Sequence, residues 1–398
     1  MNQRDICFSS LWGEAHYRLV FQRLYEEQEG QWMTPVELFS PHYSNIFADY
    51  IAKDCTMTSI PSNDDDKRKI SVVELGAGRG TNALCMLSRW KEKWPSLYNR
   101  LSYTIVDSSP TLQDLQRNRL LSDGRHFDKV SFALIDLMDV AEGRIELLEE
   151  DDHIDTYALA FELFDNLPHD KVRRCPRTNT ILQAELVLKE TSTKDPKDLI
   201  NTLHENWDAI PNNYDPVLLK EEYFPSGDPL LEQVFSSQST RKMLKNNSQY
   251  IPTVACGLIK HFVEKRKRSR FIIADFDWLP TPQMLHSAFN RDAPDDAKGA
   301  PLITCMDDKD YSSLLDSPYL CDILFPTNFA FLAAYIKDLE KIHNLDSSSE
   351  ICIEVNKQGE FLNKHGHEHI RKTQSWINGF SPLSNDFSNC SIMTMTRK

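Results

Sequence analysis

The stretch that decides the fold class is Ser71-Val72-Val73-Glu74-Leu75-Gly76-Ala77-Gly78-Arg79-Gly80-Thr81. The apolar run that ends at Leu75 predicts a central parallel strand, because strands buried on both faces are rich in Val, Ile and Leu. The three glycines let the backbone turn tightly, and a ligand can approach them without meeting a Cβ atom. A helix is predicted from residue 82 to residue 93, and its first amide groups would point at that ligand. The stretch therefore predicts a nucleotide-binding loop.

The spacing of these glycines indicates which kind of nucleotide the loop is expected to bind. The dinucleotide fingerprint G-x-G-x-x-G requires glycine at position 81, where this chain has Thr81, so a nicotinamide-dependent oxidoreductase is disfavoured. The spacing G-x-G-x-G, with Glu74 two residues ahead of the first glycine, resembles motif I of class I S-adenosylmethionine (SAM) methyltransferases. That resemblance implies a doubly wound, Rossmann-like α/β sheet.

Acidic residues end three further β-rich runs. Residues 102–107 end in Asp107, which is expected to accept hydrogen bonds from a ribose. Residues 130–136 end in Asp136, placed to contact an adenine amino group, and residues 156–161 lead into Glu162. Taken singly, each acid is also explained as a helix N-cap or a solvated loop residue. Together, at the carboxyl ends of neighbouring strands, they predict a binding crevice.

Five blocks in order carry a resemblance to a known family. They lie at 33–43 (M-T-P-V-E-L-F-S-P-H-Y), 74–81 (E-L-G-A-G-R-G-T), 106–116 (V-D-S-S-P-T-L-Q-D-L-Q), 162–168 (E-L-F-D-N-L-P) and 321–329 (C-D-I-L-F-P-T-N-F). The chain resembles the MidA-like methyltransferases, a family that includes the mitochondrial complex I assembly-factor arginine methyltransferase. It looks like a divergent, fungal-type member. The resemblance implies SAM as cofactor, and the cofactor-binding residues expected are Glu74, Gly76, Gly78, Gly80, Asp107, Ser108 and Asp136.

Catalysis is assigned to two acids in the fourth block. A guanidinium stays protonated in water, so methylating it requires carboxylates that orient it and accept its proton. Glu162 is expected to grip the arginine of a protein substrate, with Asp165 as a second partner. The other interpretation of Asp165 is a cap on the following turn.

The chain also departs from the family pattern. Phe161 replaces an asparagine before the glutamate, and residues 275–277 read D-F-D where the family has D-Y-G. A tyrosine hydroxyl and a conformationally free glycine are therefore missing. These departures keep open a second hypothesis, a non-catalytic SAM-fold protein that acts as an assembly or scaffold factor.

The amino-acid composition limits which classes of partner are expected to bind this chain. The formal net charge of −14 argues against nucleic acid and suits an arginine-presenting protein, although solubility alone also explains it. Nine scattered cysteines without a C-x-x-C pair indicate reduced thiols. No apolar run approaches the length of a membrane span. The tract His365-Gly366-His367-Glu368-His369 lacks the H-E-x-x-H spacing, so a solvated loop and no metal site are expected.

Localisation and organisation complete the expectations. The N-terminus is neither a secretory signal nor a convincing transit peptide, so mitochondrial placement is implied by the resemblance alone, with the cytoplasm as the alternative. A homodimer is left open. The predicted organisation is an N-terminal helical cap (1–60), a methyltransferase core (70–180 and 268–398) and an inserted, largely helical substrate lobe (181–267), with a long loop at 280–318.

Overall fold

The computed structural model describes residues 34–57, 68–188, 219–279, 299–305, 310–311, 321–343 and 351–397. The helices are α1 (Pro35–Leu38), α2 (His42–Met57), α3 (Thr81–Lys93), α4 (Pro95–Arg100), α5 (Pro110–Asp123), α6 (Leu137–Ala141), α7 (Pro229–Val234), α8 (Gln238–Met243), α9 (Thr253–Lys265), α10 (Phe329–His343), α11 (Gln358–His365), α12 (His367–Thr373) and α13 (Pro382–Asn385). The strands are β1 (Ile70–Leu75), β2 (Leu101–Asp107), β3 (Val130–Leu134), β4 (Asp155–Phe161), β5 (Asp170–Arg174), β6 (Ile181–Leu188), β7 (Leu219–Pro225), β8 (Gln249–Ile251), β9 (Ser269–Phe276), β10 (Leu302–Cys305), β11 (Asp310–Tyr311), β12 (Cys321–Leu324), β13 (Ile351–Lys357) and β14 (Cys390–Arg397).

A seven-stranded sheet carries the predicted crevice. Its order is β13-β14-β9-β4-β1-β2-β3. Strands β9, β4, β1, β2 and β3 are parallel, and β14 is antiparallel to both of its neighbours, β9 and β13. The chain winds from β1 outward to β3 and then returns to β4 on the other side of β1. A ligand crevice in such a sheet opens at this switch point, outside the carboxyl ends of the strands.

The strand registers bring the predicted site residues to one edge of this sheet. Leu75 at the end of β1 is paired with Val106 on β2 and with Ala160 on β4. Phe161 is paired with Ala274 on β9. The residues that follow these four strand ends are therefore neighbours, although they are far apart in the chain.

One face of the sheet is covered by apolar side chains from α2 and α3. Phe47, Ile51, Met86 and Trp90 are fully buried there, because both helices place apolar residues on the side that faces the sheet. The Trp90 indole nitrogen donates to the carbonyl oxygen of Ala48 at 2.8 Å, which satisfies its one polar atom. Helices α1 and α2 lie within the predicted N-terminal helical cap (1–60).

The described chain divides into two compact units. The seven-stranded sheet lies in the unit built from 23–165, 254–277 and 327–398, and the second unit is built from 166–253 and 278–326. This division differs from the predicted lobe boundaries, since α9 belongs with the sheet and 278–326 does not. The second unit contains an antiparallel sheet of order β7-β6-β5-β8 and a three-stranded sheet of order β11-β10-β12.

The predicted largely helical lobe contains helices α7, α8 and α9 and strands β6, β7 and β8 among its described residues. Residues 194–218 lie outside them, and β7 and β8 are strands in a region predicted to be helical. Strand β7 pairs with β6 across a long stretch of chain, and no local sequence pattern signals that partner. Likewise, β10 lies inside the predicted 280–318 loop, most of which falls outside the described residues. Strands β5 and β6 follow each other in the chain and pair as an antiparallel hairpin.

Candidate active site

The glycine loop joins β1 to α3 with three residues in the left-handed region. The φ angles of Gly76, Gly78 and Gly80 are 64°, 51° and 75°, a conformation that other L-residues adopt only with strain. The Gly76 amide donates to the Val106 carbonyl at 2.9 Å, so the loop is tied to the end of β2. Gly80 is the N-cap residue of α3. The glycine pattern thus reflects a real conformational requirement.

Two of these glycines face different surroundings. A Cβ atom added to Gly76 would lie 2.8 Å from Cδ1 of Leu163, so the glycine loop packs directly on the loop that carries Glu162 and Asp165. A Cβ atom added to Gly78 would meet nothing within 4 Å. The backbone at Gly78 is consequently open to a ligand, whereas Gly76 brings the two loops together.

Glu74 forms its hydrogen bonds inside the protein. It is buried, and its two carboxylate oxygens accept from Asn82 Nδ2 at 2.8 Å and from the Tyr103 hydroxyl at 2.7 Å. Burial raises the pKa of Glu74 to about 7, although those two hydrogen bonds act to lower it. Glu74 therefore ties β1 to α3 and β2, and its direct contact with a cofactor stays a prediction.

Asp107 lies at the end of β2 and is 7% exposed. Its Oδ1 accepts from the Ser109 amide at 3.0 Å, and its Oδ2 accepts from Gln116 Nε2 at 2.9 Å. Burial raises the pKa of Asp107 to about 6, although these hydrogen bonds act against the shift. The Ser108 backbone amide also stabilises the charged form of Asp107, and a carboxylate has about four acceptor sites, so it can still accept from a hydroxyl donor. Ser108 follows directly and is partly buried.

Asp136 occupies the N-cap position of α6. Its Oδ1 accepts from the Met138 amide at 2.9 Å, which is the local role that an acid after a strand often takes. The contact of Asp136 with an adenine amino group stays a prediction.

The N-terminal block contributes a side chain to the glycine loop, and the sequence pattern alone assigned it no role. Glu37 on α1 accepts a hydrogen bond from the hydroxyl of Thr81, the first residue of α3, and pairs with Arg119 at 3.6 Å. Arg119 also donates to the Thr81 hydroxyl. Thr81, the residue that breaks the dinucleotide fingerprint, thus anchors α1 and α5 to the loop.

Glu162 combines backbone strain with electrostatic crowding. Its φ angle is 49°, and within the described residues it shares a positive φ with just one other non-glycine residue, Asn179. Its amide donates to the Ala274 carbonyl at 2.8 Å, so the unusual backbone is held at the ends of β4 and β9. Burial and the neighbouring carboxyl of Asp275 raise the pKa of Glu162 well above its ordinary value.

Asp275 holds the loop in which both catalytic candidates lie. Its Oδ2 accepts from the amides of Phe164 at 2.8 Å and Asp165 at 3.1 Å, and it is 1% exposed. Burial raises the pKa of Asp275, although several backbone amides stabilise its charge. Asp165 is equally buried, beside this anchor. Asp275 therefore fixes the loop of the two predicted catalytic acids, a role that the motif at 275–277 does not indicate.

The two departures from the family pattern have structural counterparts. The Phe161 ring makes edge-to-face contacts with Phe47 at 4.8 Å and with Tyr43 at 6.1 Å, both on α2. Asp277 stands where the family has glycine, and its Oδ2 accepts from Ser391 Oγ and Lys357 Nζ at 2.5 Å each. An aromatic cluster therefore replaces the asparagine, and a polar anchor to β13 and β14 replaces the glycine.

The histidine tract is helical, so the expectation of a solvated loop is wrong. His369 is buried on α12, where its Nδ1 lies 3.3 Å from Nδ1 of His42 and its Nε2 lies 3.6 Å from Asp49. His365 packs against Phe361. Among the described residues, no group of three potential ligand side chains is arranged to hold a metal ion. No helix in the same ranges has the length and apolar character needed to cross a membrane.

A family model identifies the chain. The model described as "Putative S-adenosyl-L-methionine-dependent methyltransferase" matches residues 51–347, well over half of the sequence. The chain belongs to this family. It is thus a SAM-dependent methyltransferase, and the cofactor expected from the glycine loop is confirmed. Among curated proteins, no sequence matches this methyltransferase.

Solved structures confirm the fold of the methyltransferase. A COG1565 superfamily member from Burkholderia thailandensis, bound to S-adenosyl-homocysteine, is 14% identical with a TM-score of 0.56, over 92% of this chain and 78% of the other. A second COG1565 superfamily structure from the same organism is 14% identical with a TM-score of 0.54, over 97% and 93% of the two chains. The seven-stranded sheet is thus the expected class I methyltransferase sheet.

The residues at the sheet edge fit SAM. The open backbone at Gly78 offers the space that a ligand needs, since a side chain at that position would project into it. Asp107 and Asp136 follow β2 and β3 as hydrogen-bond acceptors, which is the chemistry that ribose hydroxyls and an adenine amino group require. Gly76, Gly80 and Ser108 stay predicted contacts of the cofactor. These residues would hold the cofactor, and its bound methyl group would be the electrophile of the reaction.

Proposed function

We propose that this methyltransferase methylates a guanidinium nitrogen of an arginine in a protein substrate, and that it does so in mitochondria. The observation that carries the arginine assignment is the crowding of Glu162 and Asp275 at the ends of β4 and β9. The mitochondrial assignment rests on the resemblance to the MidA-like family. A respiratory complex subunit under assembly is the substrate class that this resemblance favours.

Crowded, buried carboxyl groups favour a cationic ligand. Both burial and the neighbouring acid act against ionisation of Glu162, so a positive charge that binds beside it gains stabilisation from both groups. A guanidinium is planar and stays charged, and it can donate two parallel hydrogen bonds to one carboxylate. An arginine side chain therefore suits Glu162 better than a neutral acceptor does.

The strained backbone at Glu162 supports a functional role. A left-handed conformation at a non-glycine residue costs about 1–3 kcal/mol and persists only where the surroundings enforce it. Here the Ala274 carbonyl and the Phe161 ring packing supply that enforcement.

Proximity connects this acid to the cofactor. Leu163, the residue after Glu162, packs against Gly76 of the glycine loop. Glu162 would orient the acceptor nitrogen, and Asp165 or Glu162 would accept the proton released as the nitrogen–methyl bond forms and the sulfur–methyl bond breaks. Holding the acceptor in line is the main task left to the protein.

The test is methyl incorporation into a defined residue type. Extract from cells that lack the protein is incubated with radiolabelled SAM and either wild type, Glu162→Gln or Glu92→Gln, at matched SAM occupancy. Glu92 is an exposed residue of α3 and serves as the matched control. We expect label in arginine with wild type and Glu92→Gln, and a loss of at least about a hundredfold with Glu162→Gln, because the charge is removed while size is kept.

The alternatives give distinct results. Label in another residue type would contradict the arginine assignment and leave methyl transfer intact. SAM binding without incorporation by the wild-type protein would favour the scaffold hypothesis, for which the replacement of the family asparagine by Phe161 is the motivating observation. Organelle fractionation of the tagged protein tests the mitochondrial proposal separately.

A further inference from the structure

Gln116 links the two main parts of the cofactor crevice. It lies on α5 and is 0% exposed. Its side-chain nitrogen donates to the carbonyl oxygen of Gly78 at 2.8 Å and to Asp107 Oδ2 at 2.9 Å. Both hydrogens of one amide group are thus used on elements that surround the cofactor.

The orientation of this amide follows from its neighbours. Gly78 and Asp107 present only oxygen acceptors to it, so a flipped amide would set its oxygen against two other oxygens. The Gln116 Oε1 atom is buried and has no hydrogen-bond partner in the described part of the chain. A buried polar atom without a protein partner is costly and invites a donor from a ligand or a water.

Packing leaves Gln116 little freedom. A Cβ atom added to Gly80 would lie 3.4 Å from Cγ and 3.5 Å from Cα of Gln116, so α5 sits against the glycine loop. The side chain cannot move away without also moving the loop or the helix. Its two hydrogen bonds therefore set the separation between the Gly78 backbone and the Asp107 carboxyl group.

We propose that Gln116 is a positioning residue for the cofactor. It fixes the Asp107 carboxyl group relative to the Gly78 backbone, so that the cofactor can contact Asp107 through its ribose and the glycine loop at the same time. The proposal rests on the assignment of the ribose to Asp107. Gln116 acts through that acid and through the loop.

The experiment is a double-mutant cycle with S-adenosylhomocysteine as the calorimetric probe, on wild type, Gln116→Ala, Asp107→Ala and the double variant. We expect Gln116→Ala to weaken binding about tenfold, as for the loss of a hydrogen bond to a charged group. In the Asp107→Ala background the same substitution should weaken binding less than about threefold, because the partner it positions is absent.

Two further variants separate positioning from general stability. Gln113→Ala, on the same helix, removes a glutamine whose Oε1 accepts from Arg117, and its affinity should stay within about twofold of wild type. Gln116→Met keeps the length of the side chain without the donors and should match Gln116→Ala in affinity. It also replaces Gln116→Ala if that variant does not fold, as judged by ligand-free melting.

Each outcome decides a different claim. Wild-type affinity in Gln116→Ala, or losses that multiply fully in the double variant, would overturn the positioning role while the Asp107 assignment stands. Unchanged affinity in Asp107→Ala would overturn the ribose assignment, and the role of Gln116 with it. Reduced affinity in Gln113→Ala equal to that in Gln116→Ala would show a general effect of α5, and the proposal would be wrong.

Discussion

Acidic side chains at the carboxyl ends of β1 and β2 have different surroundings from those at the ends of β4 and β9. Around the glycine loop, Glu74 and Asp107 accept from neutral donors, namely an amide, a hydroxyl and backbone nitrogens. Beyond β4, Glu162 and Asp275 lie close enough that each disfavours the other's charge. The first region suits the predicted contact with ribose hydroxyl groups. The second suits the proposed arginine cation.

The largest expected effect tests the glycine loop. Gly78→Val should reduce S-adenosylhomocysteine affinity more than about a hundredfold, because its side chain would fill the space left for the ligand. Gly143→Val is the matched control. Gly143 also has a positive φ, 72°, and open space around it, so both variants lose similar stability through strain. Equal calorimetric affinity for the two variants would contradict the site assignment.

The second effect concerns the ribose acid. Asp107→Ala should weaken S-adenosylhomocysteine binding by roughly 10- to 150-fold, the range for a hydrogen bond to a charged acceptor. Calorimetry measures the change, and circular dichroism checks that the fold is kept. An unchanged dissociation constant would move the ribose contact to another acid, Glu74 being the nearest candidate.

The third effect is the dependence of cofactor affinity on pH. Since the pKa of Asp107 is raised to about 6, the ionised acceptor is lost below that value, and affinity at pH 5 should be roughly tenfold weaker than at pH 8. Stability of the free protein changes in the opposite direction. Because the pKa of Asp107 is higher in the folded state than its ordinary value of 3.8, protonated Asp107 stabilises the fold at low pH. This stabilisation is lost as the pH rises through about 6.

The control for this pH profile is a second titrating acid. Glu74, on the neighbouring strand, has a pKa raised to about 7 and faces Asp107. Asp107→Asn should flatten the profile of affinity against pH, and Glu74→Gln should leave the transition near pH 6 in place. A profile that persists in Asp107→Asn would assign it to Glu74 instead.

The smallest effect on cofactor binding is expected in the second region. Asp275→Ala leaves the amides of Phe164 and Asp165 without their acceptor, at a cost of about 1–3 kcal/mol for each buried donor. We expect a lower melting temperature, with S-adenosylhomocysteine affinity within about threefold of wild type. The exposed Asp386→Ala should change neither. A large loss of affinity in Asp275→Ala would show that the two regions are not separable.

Local sequence pattern predicted the elements of the main sheet well. The runs ending at Leu75, Asp107 and Phe161 are β1, β2 and β4. These strands are short, apolar and bounded by glycine, proline or acids, so each carries its own signal. The second unit lacked such signals, because β7 is defined by its pairing with β6.

For the site, the sequence by itself determined which residues stand at the strand ends, since glycine spacing and strand-end acids are local features. Only the tertiary structure decided what each acid does. Glu74 is engaged by Asn82 and Tyr103, and Asp275 anchors the loop of Glu162 and Asp165. The Glu74–Asn82 pair is 8 positions apart, but the other hydrogen bonds join residues 29 to 111 positions apart and depend on strand order and register. Those are properties of the assembled sheet, so no stretch of the chain encodes them alone.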